Sequence, residues 1–453
     1  MGVSGNEFWK ADMLALFQQL LPVEFIFAAL RQAKVRENNR VYNTAVVMWL
    51  ITWQRLQCPG TLESAVLELA RGLPASFWPQ PCKRLAQAAE EGGTKLSNHT
   101  GAYNQARNDL SLEVVEQCCD HAFEQLLAAE TSETRRPAFF LDGTSVRMPH
   151  TEELVQAYPP TSNQHGASHW PLIRMLVAHD LYSGLAMRPE WGPMNGSQAV
   201  SEQGLLEPAI QRLPRGAVVV GDSNFGVFSV VYAADQQGHP VALRLTVARA
   251  QHLAGGLLRD GMDQRAVWTP SRDDRRSHPA LPALARVEGR LIVRQVQPSN
   301  GADPFLLPLF TTLPDPPEEI VELYGQRWNI EVDLRSLKGT LRLEELTCTT
   351  SAMVAKEINL AMLAYNLVRA VMCLAARKAG LKPRAFSFTR VRNVLNAFLP
   401  HIAAANDERQ ARKWMEEMLY YLDRTKLPQR KRKRPSYPRA VWPQPKAYPA
   451  RHG

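Results

Sequence analysis

The sequence predicts an α/β fold, a mixed sheet flanked by helices, with an all-helical unit before it and a mostly β segment inserted into it. Three observations carry this prediction. Apolar residues recur at three- and four-residue steps up to about residue 132, as in amphipathic helices. From 133 to 245, short apolar runs that end in turn residues alternate with helical periods. Over 246–316 the pattern changes to arginine-rich, strand-like pieces, and helical periodicity then resumes to about residue 423.

In chain order, helical spacing runs through Leu14 to Ala33, Ala45 to Gln57 and Leu62 to Gly72, so residues 1–132 read as one helical unit. TGAYNQARNDL and SLEVVEQCCDHAFEQLL extend it to a polar break, SETRRP. Phe139, Phe140 and Leu141 then form a buried strand that ends at Asp142 and Gly143. PLIRMLVAHD, the turn LYSG and LAMRPEWG suit an antiparallel pair. SEQGLLEPAIQRL predicts a helix from about Ser201 to Leu213, AVVVGDSNFG a fourth strand closing at Asp222, VFSVVYAADQQG a helix and HPVALRLT a fifth strand. A three-strand meander, helix, strand, helix and strand is the order of a ribonuclease H-like core. In such a core the first and fourth strands are neighbours, which brings Asp142 and Asp222 together. Taken singly, either acid reads equally as a turn residue or helix cap.

RLIVRQV and FLLPLFTTL mark the β-rich insertion at 246–316, and 317–380 returns to the core. In LYGQRWNIEVDLRSLKGTLRLEEL, Tyr324, Arg327, Glu331, Arg335 and Lys338 follow at helical steps. On one continuous helix all five fall within roughly ±40° of Glu331, apart from the apolar stripe of Leu323, Ile330, Leu334, Leu337 and Leu341. A carboxylate among three cations and a phenol suits a metal ion held beside a polyanion. The same face also reads as a solvated set of salt bridges. Helices over 381–423 close the folded part, and 424–453 form a basic tail.

Composition bounds the function. The 453 residues, 45% hydrophobic and 21% charged, suit a globular protein with several structural units rather than a disordered chain. The apolar stretch at 45–53 is too short to span a bilayer, and MGVSGNEFWK lacks the form of a signal peptide, so a cytoplasmic protein with no membrane partner is expected. The six cysteines form no CxxC pair and have no histidines at zinc-ligand spacing, so they read as reduced structural thiols. The formal net charge is +9, yet ten Lys and Arg and no acid fall within 424–453, so the rest of the chain is close to neutral. That proline-rich tail, interleaved with aromatics, suits an extended segment along phosphates and equally a solubilising one. No Walker-type glycine-rich loop is present, so no nucleotide cofactor is called for.

Three carboxylates brought to one point repel unless divalent ions lie between them, and hard oxygen ligands suit Mg²⁺ or Mn²⁺. Two such ions can activate a water or 3′-hydroxyl on one side of a phosphodiester and stabilise the leaving oxygen on the other. The chemistry implied is phosphoryl transfer on nucleic acid.

The set LDGTS, GDSNFG and Tyr324, Arg327, Glu331 and Lys338, spaced Y-x2-R-x3-E-x6-K, resembles bacterial insertion-sequence DDE transposases of the Tyr-Arg-Glu-Lys signature family, the insertion sequence four type. The resemblance covers most of the chain. It implies that Asp142, Asp222 and Glu331 are a catalytic triad binding two Mg²⁺ or Mn²⁺ ions. It further implies that Tyr324, Arg327 and Lys338 grip phosphates, with Arg335 facing the same way. The implied activity is cut-and-paste transposition at terminal inverted repeats, with nicking, hairpin formation and strand transfer into target DNA by a homodimer in a synaptic complex. Such an enzyme would work beside the nucleoid.

In relatives that form hairpins, an aromatic residue of the insertion stacks on a flipped base. Trp268 is the one tryptophan between Asp222 and the signature, and it reads equally as a buried structural residue. Ser223 and Asn224 stand where many members place an arginine. Arg31, Lys34, Arg36 and Arg40 are available on the surface of the helical unit for phosphates of the repeats. The alternatives are a catalytically silent DNA-binding relative, inhibitory or domesticated, and a ribonuclease H-like nuclease without strand transfer.

Overall fold

A computed structural model describes residues 13–57, 60–73, 75–90, 95–130, 136–163, 166–297, 303–344, 346–403 and 407–427. Most of the basic tail lies outside them. The first seven elements are helices: α1 (Met13–Leu20), α2 (Val23–Gln32), α3 (Thr44–Gln57), α4 (Leu62–Arg71), α5 (Lys83–Ala89), α6 (Gly101–Asp109) and α7 (Leu112–Glu130). The all-apolar run of α3 is buried without a break from Ala45 to Thr52, as a helix surrounded by others must be. In α7 the buried positions Val115, Cys118, Ala122 and Leu126 keep the helical spacing read from the sequence. The four cations expected on the surface of the helical unit do not share one helix. Only Arg31 lies on α2; Lys34 sits in a left-handed turn (φ 56°), and Arg36 and Arg40 lie in the irregular segment before α3.

The second part alternates strands and helices: β1 (Ala138–Arg147), α8 (Glu152–Ala157), β2 (Pro160–Asn163), β3 (Gly166–Asp180), β4 (Glu190–Pro193), α9 (Glu202–Gln211), β5 (Val218–Gly221), α10 (Phe228–Gln236) and β6 (Val241–Arg244). It continues with α11 (Val247–Ala254), β7 (Asp263–Trp268), α12 (Arg272–Ser277), β8 (Val287–Val296) and β9 (Phe305–Thr311). All strands join one mixed sheet, ordered β2-β3-β1-β5-β6-β9-β8-β7, with β4 on β3. β1 runs parallel to β5, and β5 parallel to β6, while β3 pairs with β1 antiparallel. The inserted strands therefore extend the sheet beyond β6 through β9 rather than forming a layer of their own. Ala138 to Leu141 and Val218 to Gly221 are buried at every position, because this part of the sheet is covered on both faces.

The tight return after β3 has a local cause. The Asp180 carboxylate accepts the Ser183 amide at 2.7 Å and its hydroxyl at 2.6 Å. Gly184 follows at φ +77°, where a Cβ would also lie 2.8 Å from the Arg369 guanidinium.

Five helices complete the fold: α13 (Pro317–Gly325), α14 (Trp328–Arg335), α15 (Ser351–Ala379), α16 (Phe388–Ala403) and α17 (Glu408–Asp423). The signature segment is not the single helix the spacing predicts. It breaks at Gln326 and Arg327, and Ser336–Thr340 is a π turn. Gly325, which disfavours a helix interior by about 1 kcal/mol, stands at the break, and the two pieces rest on different strands, α13 on β6 and α14 on β1. The longest helix, α15, is apolar enough to cross a membrane by composition, but its apolar window is wholly buried. It packs on α7 and α3 and so joins the helical unit to the sheet.

Candidate active site

β1 carries Asp142 in mid-strand rather than at its end. The strand outlasts its parallel pairing with β5, which stops at Phe140↔Val220, because β3 continues beside it to Arg147↔Leu172. Asp142 thus stands just past the last residue paired with β5, and Asp222 stands just past the end of β5 itself. Neighbouring parallel strands bring the two acids together although 80 residues apart in sequence. The Asp222 carboxylate is fixed by accepting the Asn224 amide at 2.8 Å, and the Phe225 and Gly226 amides close the turn on its carbonyl.

Burial pushes the Asp142 carboxyl up to about 6. The Gly143 amide opposes this, the Asp222 and Glu202 carboxylates add to it, and the Arg327 guanidinium opposes it. Glu202 went unnoticed in the sequence. It is the first residue of α9, and its carboxylate lies over the backbone of β1: a Cβ at Gly143 would meet its Oε1 at 2.2 Å. The glycine of LDGTS is what makes room for it. Gln203 ties the same helix to the Asp222 turn through the Asn224 carbonyl at 3.1 Å.

The sign of the Asp142 shift gives a testable result. The folded carboxyl keeps its proton up to about pH 6 and the unfolded one only to about 3.8, so metal-free stability falls as pH rises through that window. In EDTA at pH 7.5, Asp142→Asn is expected to be more stable than the parent chain by about 1 to 3 kcal/mol. Thermal melts should show the gap closing below about pH 4; a gap independent of pH refutes this account.

The signature residues divide between two environments. Tyr324 is 5% exposed at the end of α13, and burial raises its pKa; Arg327 and Arg244 oppose the rise and Asp222 adds to it. Arg327 lies 3.8 Å from Glu331, whose side chain is 44% exposed. Arg327 therefore acts on both Asp142 and Glu331 and links the strand acids to the helix acid. Arg335 is exposed, and Lys338, in the π turn, lies 3.6 Å from Glu344. Among the described residues no three His, Cys, Asp or Glu side chains are gathered closely enough to hold a metal ion. The strand acids meet, and Glu331 stands off them with Arg327 between.

Trp268 requires a correction. Its ring is 5% exposed and packs edge-on against Phe310 (5.0 Å) and Phe228 (6.3 Å), so it is a core residue and is not offered to a base. The exposed aromatic near the site is Trp328, 65% exposed, with the Arg327 guanidinium 5.0 Å from its ring. Its position immediately after Arg327 was the available signal.

Behind α14 lies an ion cluster that the sequence did not reveal. Asp333, about 200° around the helix from Glu331, is fully buried and accepts from Arg369 of α15 and, at 2.7 Å, from Arg384. Arg384 also donates to the Leu181 and Asp180 carbonyls after β3, and Arg369 to the Tyr365 hydroxyl at 2.8 Å. His179, the β3 residue paired with Phe140, lies 3.8 Å from Asp333, and burial pushes its pKa down to about 4. The helix of Glu331 is thereby fastened to the β1–β3 pair that carries Asp142.

Residues 133–367 match a family model described as a transposase DDE domain. The chain is 25% identical over 318 residues, 68% of each protein, to the transposase InsG for insertion sequence element IS4 of Escherichia coli strain K12. Among solved structures it is similar to a piggyBac transposase synaptic complex with hairpin DNA. The TM-score is 0.42 and the identity 12%, covering 90% of this chain and 85% of that one.

Proposed function

Starting from a chain that belongs to the transposase DDE domain family, and hence to enzymes of DNA transposition, we propose a metal-dependent cut-and-paste reaction at the terminal inverted repeats of an insertion sequence. The observation that carries the proposal is the meeting of Asp142 and Asp222 on adjacent parallel strands, with Arg327 joining them to Glu331. The strand order β4-β3-β1-β5-β6, with β1, β5 and β6 parallel, supports a ribonuclease H-like core at 133–245 and 317–380. The insertion at 246–316 extends that sheet, the helical unit at 1–132 holds the element end, and 381–453 supply helices and a basic tail.

The donor set fits Mg²⁺ or Mn²⁺: it is all oxygen, and the half-buried Asp142 feels the Asp222 and Glu202 carboxylates against a single guanidinium, that of Arg327. Asp142, Asp222 and Glu331 would hold two ions, Glu331 after a shift of its exposed side chain away from Arg327. Bound there, divalent ions would lower the pKa of the attacking hydroxyl and stabilise the leaving oxygen. The protein's own part is positional and electrostatic. β1 and β5 fix two carboxylates at the sheet, the buried Asp333 cluster fixes the helix of the third, and Arg327 balances charge between them. Arg335 and Lys338 lie farther along the signature, where they can hold phosphates of the cleaved strand. Nicking releases a 3′-hydroxyl, whose attack on the opposite strand closes a hairpin that is reopened before joining to target DNA. A homodimer brings two ends together, in the cytoplasm beside the nucleoid.

A labelled duplex carrying the flanking sequence and the element end, incubated with Mg²⁺, Mn²⁺ or EDTA, tests the proposal on a denaturing gel. The expected product is a metal-dependent nick at the element boundary, followed by one species with both strands covalently joined. Folded protein that binds the end but never cuts it, under conditions supporting synapsis, is instead a silent DNA-binding relative.

Trp328 takes the stacking role first assigned to Trp268. Stacking contributes about 1 to 3 kcal/mol per base, so Trp328→Ala is expected to slow hairpin closure by about 5- to 150-fold while Trp328→Phe retains most of the rate. Single-turnover gels measure both variants. Equal rates for Trp328→Ala and the parent chain refute the role.

A further inference from the structure

Where the helical unit meets the long helix α15, a second concentration of charge lies away from the candidate active site. Arg55 of α3 and Arg107 of α6 donate to the two oxygens of one carboxylate, Glu357 of α15. Arg107 is 8% exposed and Glu357 4%. Beside them Lys356, 5% exposed, gives its ammonium to the backbone carbonyls of Asn108 (2.7 Å) and Arg107 (3.4 Å). Two guanidiniums thus share a single carboxylate, and a buried ammonium beside them is held by backbone carbonyls alone. Buried charge without a counter-charge is costly, so the arrangement favours an anion.

The space for one is present. A cavity of about 570 Å³ opens at this junction, lined by Arg55, Arg107, Asn104, Thr349, Thr350 and Glu357. The Arg107 Nε is buried and has no hydrogen-bond partner. The 29-residue helix α15 begins at the same cavity, capped by Thr350, whose hydroxyl accepts the Met353 amide at 3.3 Å. The positive end of its dipole adds to the guanidinium field. Two acids lie nearby: Glu153 accepts the Ser351 amide at 2.7 Å, and Asp109 acts on the Lys356 ammonium. Arg55 also donates to the Arg342 carbonyl at 3.4 Å, which connects the cavity to the segment just after the signature.

We infer that this junction cavity is a seat for one phosphate of the DNA backbone, gripped by Arg55 and Arg107 from the helical unit and by the start of α15 from the core. The ligand follows from the chemistry. The cavity offers guanidinium and backbone donors for an oxyanion, its lining includes no aromatic ring to stack on a base, and the substrate of a transposase supplies phosphodiesters in series. A phosphate held by both units sets the element end at a fixed distance from the catalytic acids. The inference rests on the reading of the chain as a DNA-acting enzyme and needs nothing from the metal site.

Asn104 provides the test, because it is exposed at the cavity rim and lies one helical turn before Arg107. Full-length protein carrying Asn104→Asp or Asn104→Lys is compared with the parent chain for binding to the element-end duplex over a range of NaCl concentrations. A set of duplexes in which single phosphates are replaced by neutral methylphosphonates is then measured with each protein. The parent chain is expected to lose about tenfold in affinity at one neutralised position on each end. Asn104→Asp should bind the native duplex more weakly, with a salt slope shallower by about one unit, and should lose sensitivity to that position alone. Asn104→Lys should bind more tightly with a steeper slope. If the variants shift affinity equally at every methylphosphonate position, the cavity takes no backbone phosphate and the inference fails. A parent chain that binds no element-end duplex at all contradicts the DNA reading itself.

Discussion

Glu331→Ala and Asp142→Asn are each expected to reduce cleavage at the element boundary by at least about 10³-fold, as loss of one member of a cooperating catalytic set does. Affinity for the element end should change by less than about threefold. The separation follows from where the residues stand. Asp142 is in mid-strand and only partly accessible, and Glu331 projects from α14 beside Arg327, so neither belongs to the helical unit proposed to hold the repeats. Asp142→Asn keeps the shape of the side chain and its bond from the Gly143 amide at 2.9 Å while removing the charge a divalent ion needs. Gel cleavage and mobility shift on the same preparations measure the two effects. A folded variant that lost binding together with cleavage would place these acids in end recognition and overturn the division of labour.

Asp333→Ala is expected to cost about 3 to 5 kcal/mol of stability, the penalty for leaving buried charges without their partner. Arg369 is 2% exposed and Arg384 is held by two backbone carbonyls, so neither can swing out to water. Chemical denaturation reads the loss directly. The combination Asp333→Leu with Arg369→Met should recover part of it, because replacing both sides of a buried pair by apolar groups removes the unpaired charge. If Asp333→Ala melts like the parent chain, the cluster is solvated and does not fasten α14. Arg384→Met is milder, since Arg369 remains on Asp333, and should leave a folded chain in which Glu331 is less firmly placed. It should then need more Mg²⁺ for half-maximal cleavage than the parent chain.

Several elements were legible because their signals are local. The helical spacing of α3 and α7, the apolar runs of β1 and β5, and the turn at Asp180 to Gly184 depend on neighbours in sequence, and the structure follows them. The nearness of Asp142 and Asp222 was also legible, because the order of strands and helices makes the strands that carry them neighbours, although β1 runs on past Asp142. The signature helix was only half legible. Spacing alone put five residues on one face, but the break at Gln326–Arg327 and the π turn at Ser336–Thr340 redirect Tyr324 inward and Lys338 toward Glu344. Trp268 failed for a different reason. A tryptophan in a strand reads the same whether its face meets solvent or a second layer, and here Phe228 and Phe310 cover it.

By itself the sequence determined the class of protein. The acids of LDGTS and GDSNFG and the Y-x2-R-x3-E-x6-K spacing select the DDE transposases, and the order of apolar runs selects an α/β core behind a helical unit. Only the tertiary structure decided which side chains share an environment. Glu202 reaches Asp142 because Gly143 leaves room above β1. Asp333 meets Arg369, Arg384 and His179 across segments 36 to 154 residues away, and Arg55, Arg107 and Lys356 gather around Glu357 at the joint of two units. The physical reason is one of range. Periodicity and turn chemistry act within a few residues and are written in the local sequence, whereas burial and charge balance depend on which distant surfaces the packing of α15 against the sheet and the helical unit brings together.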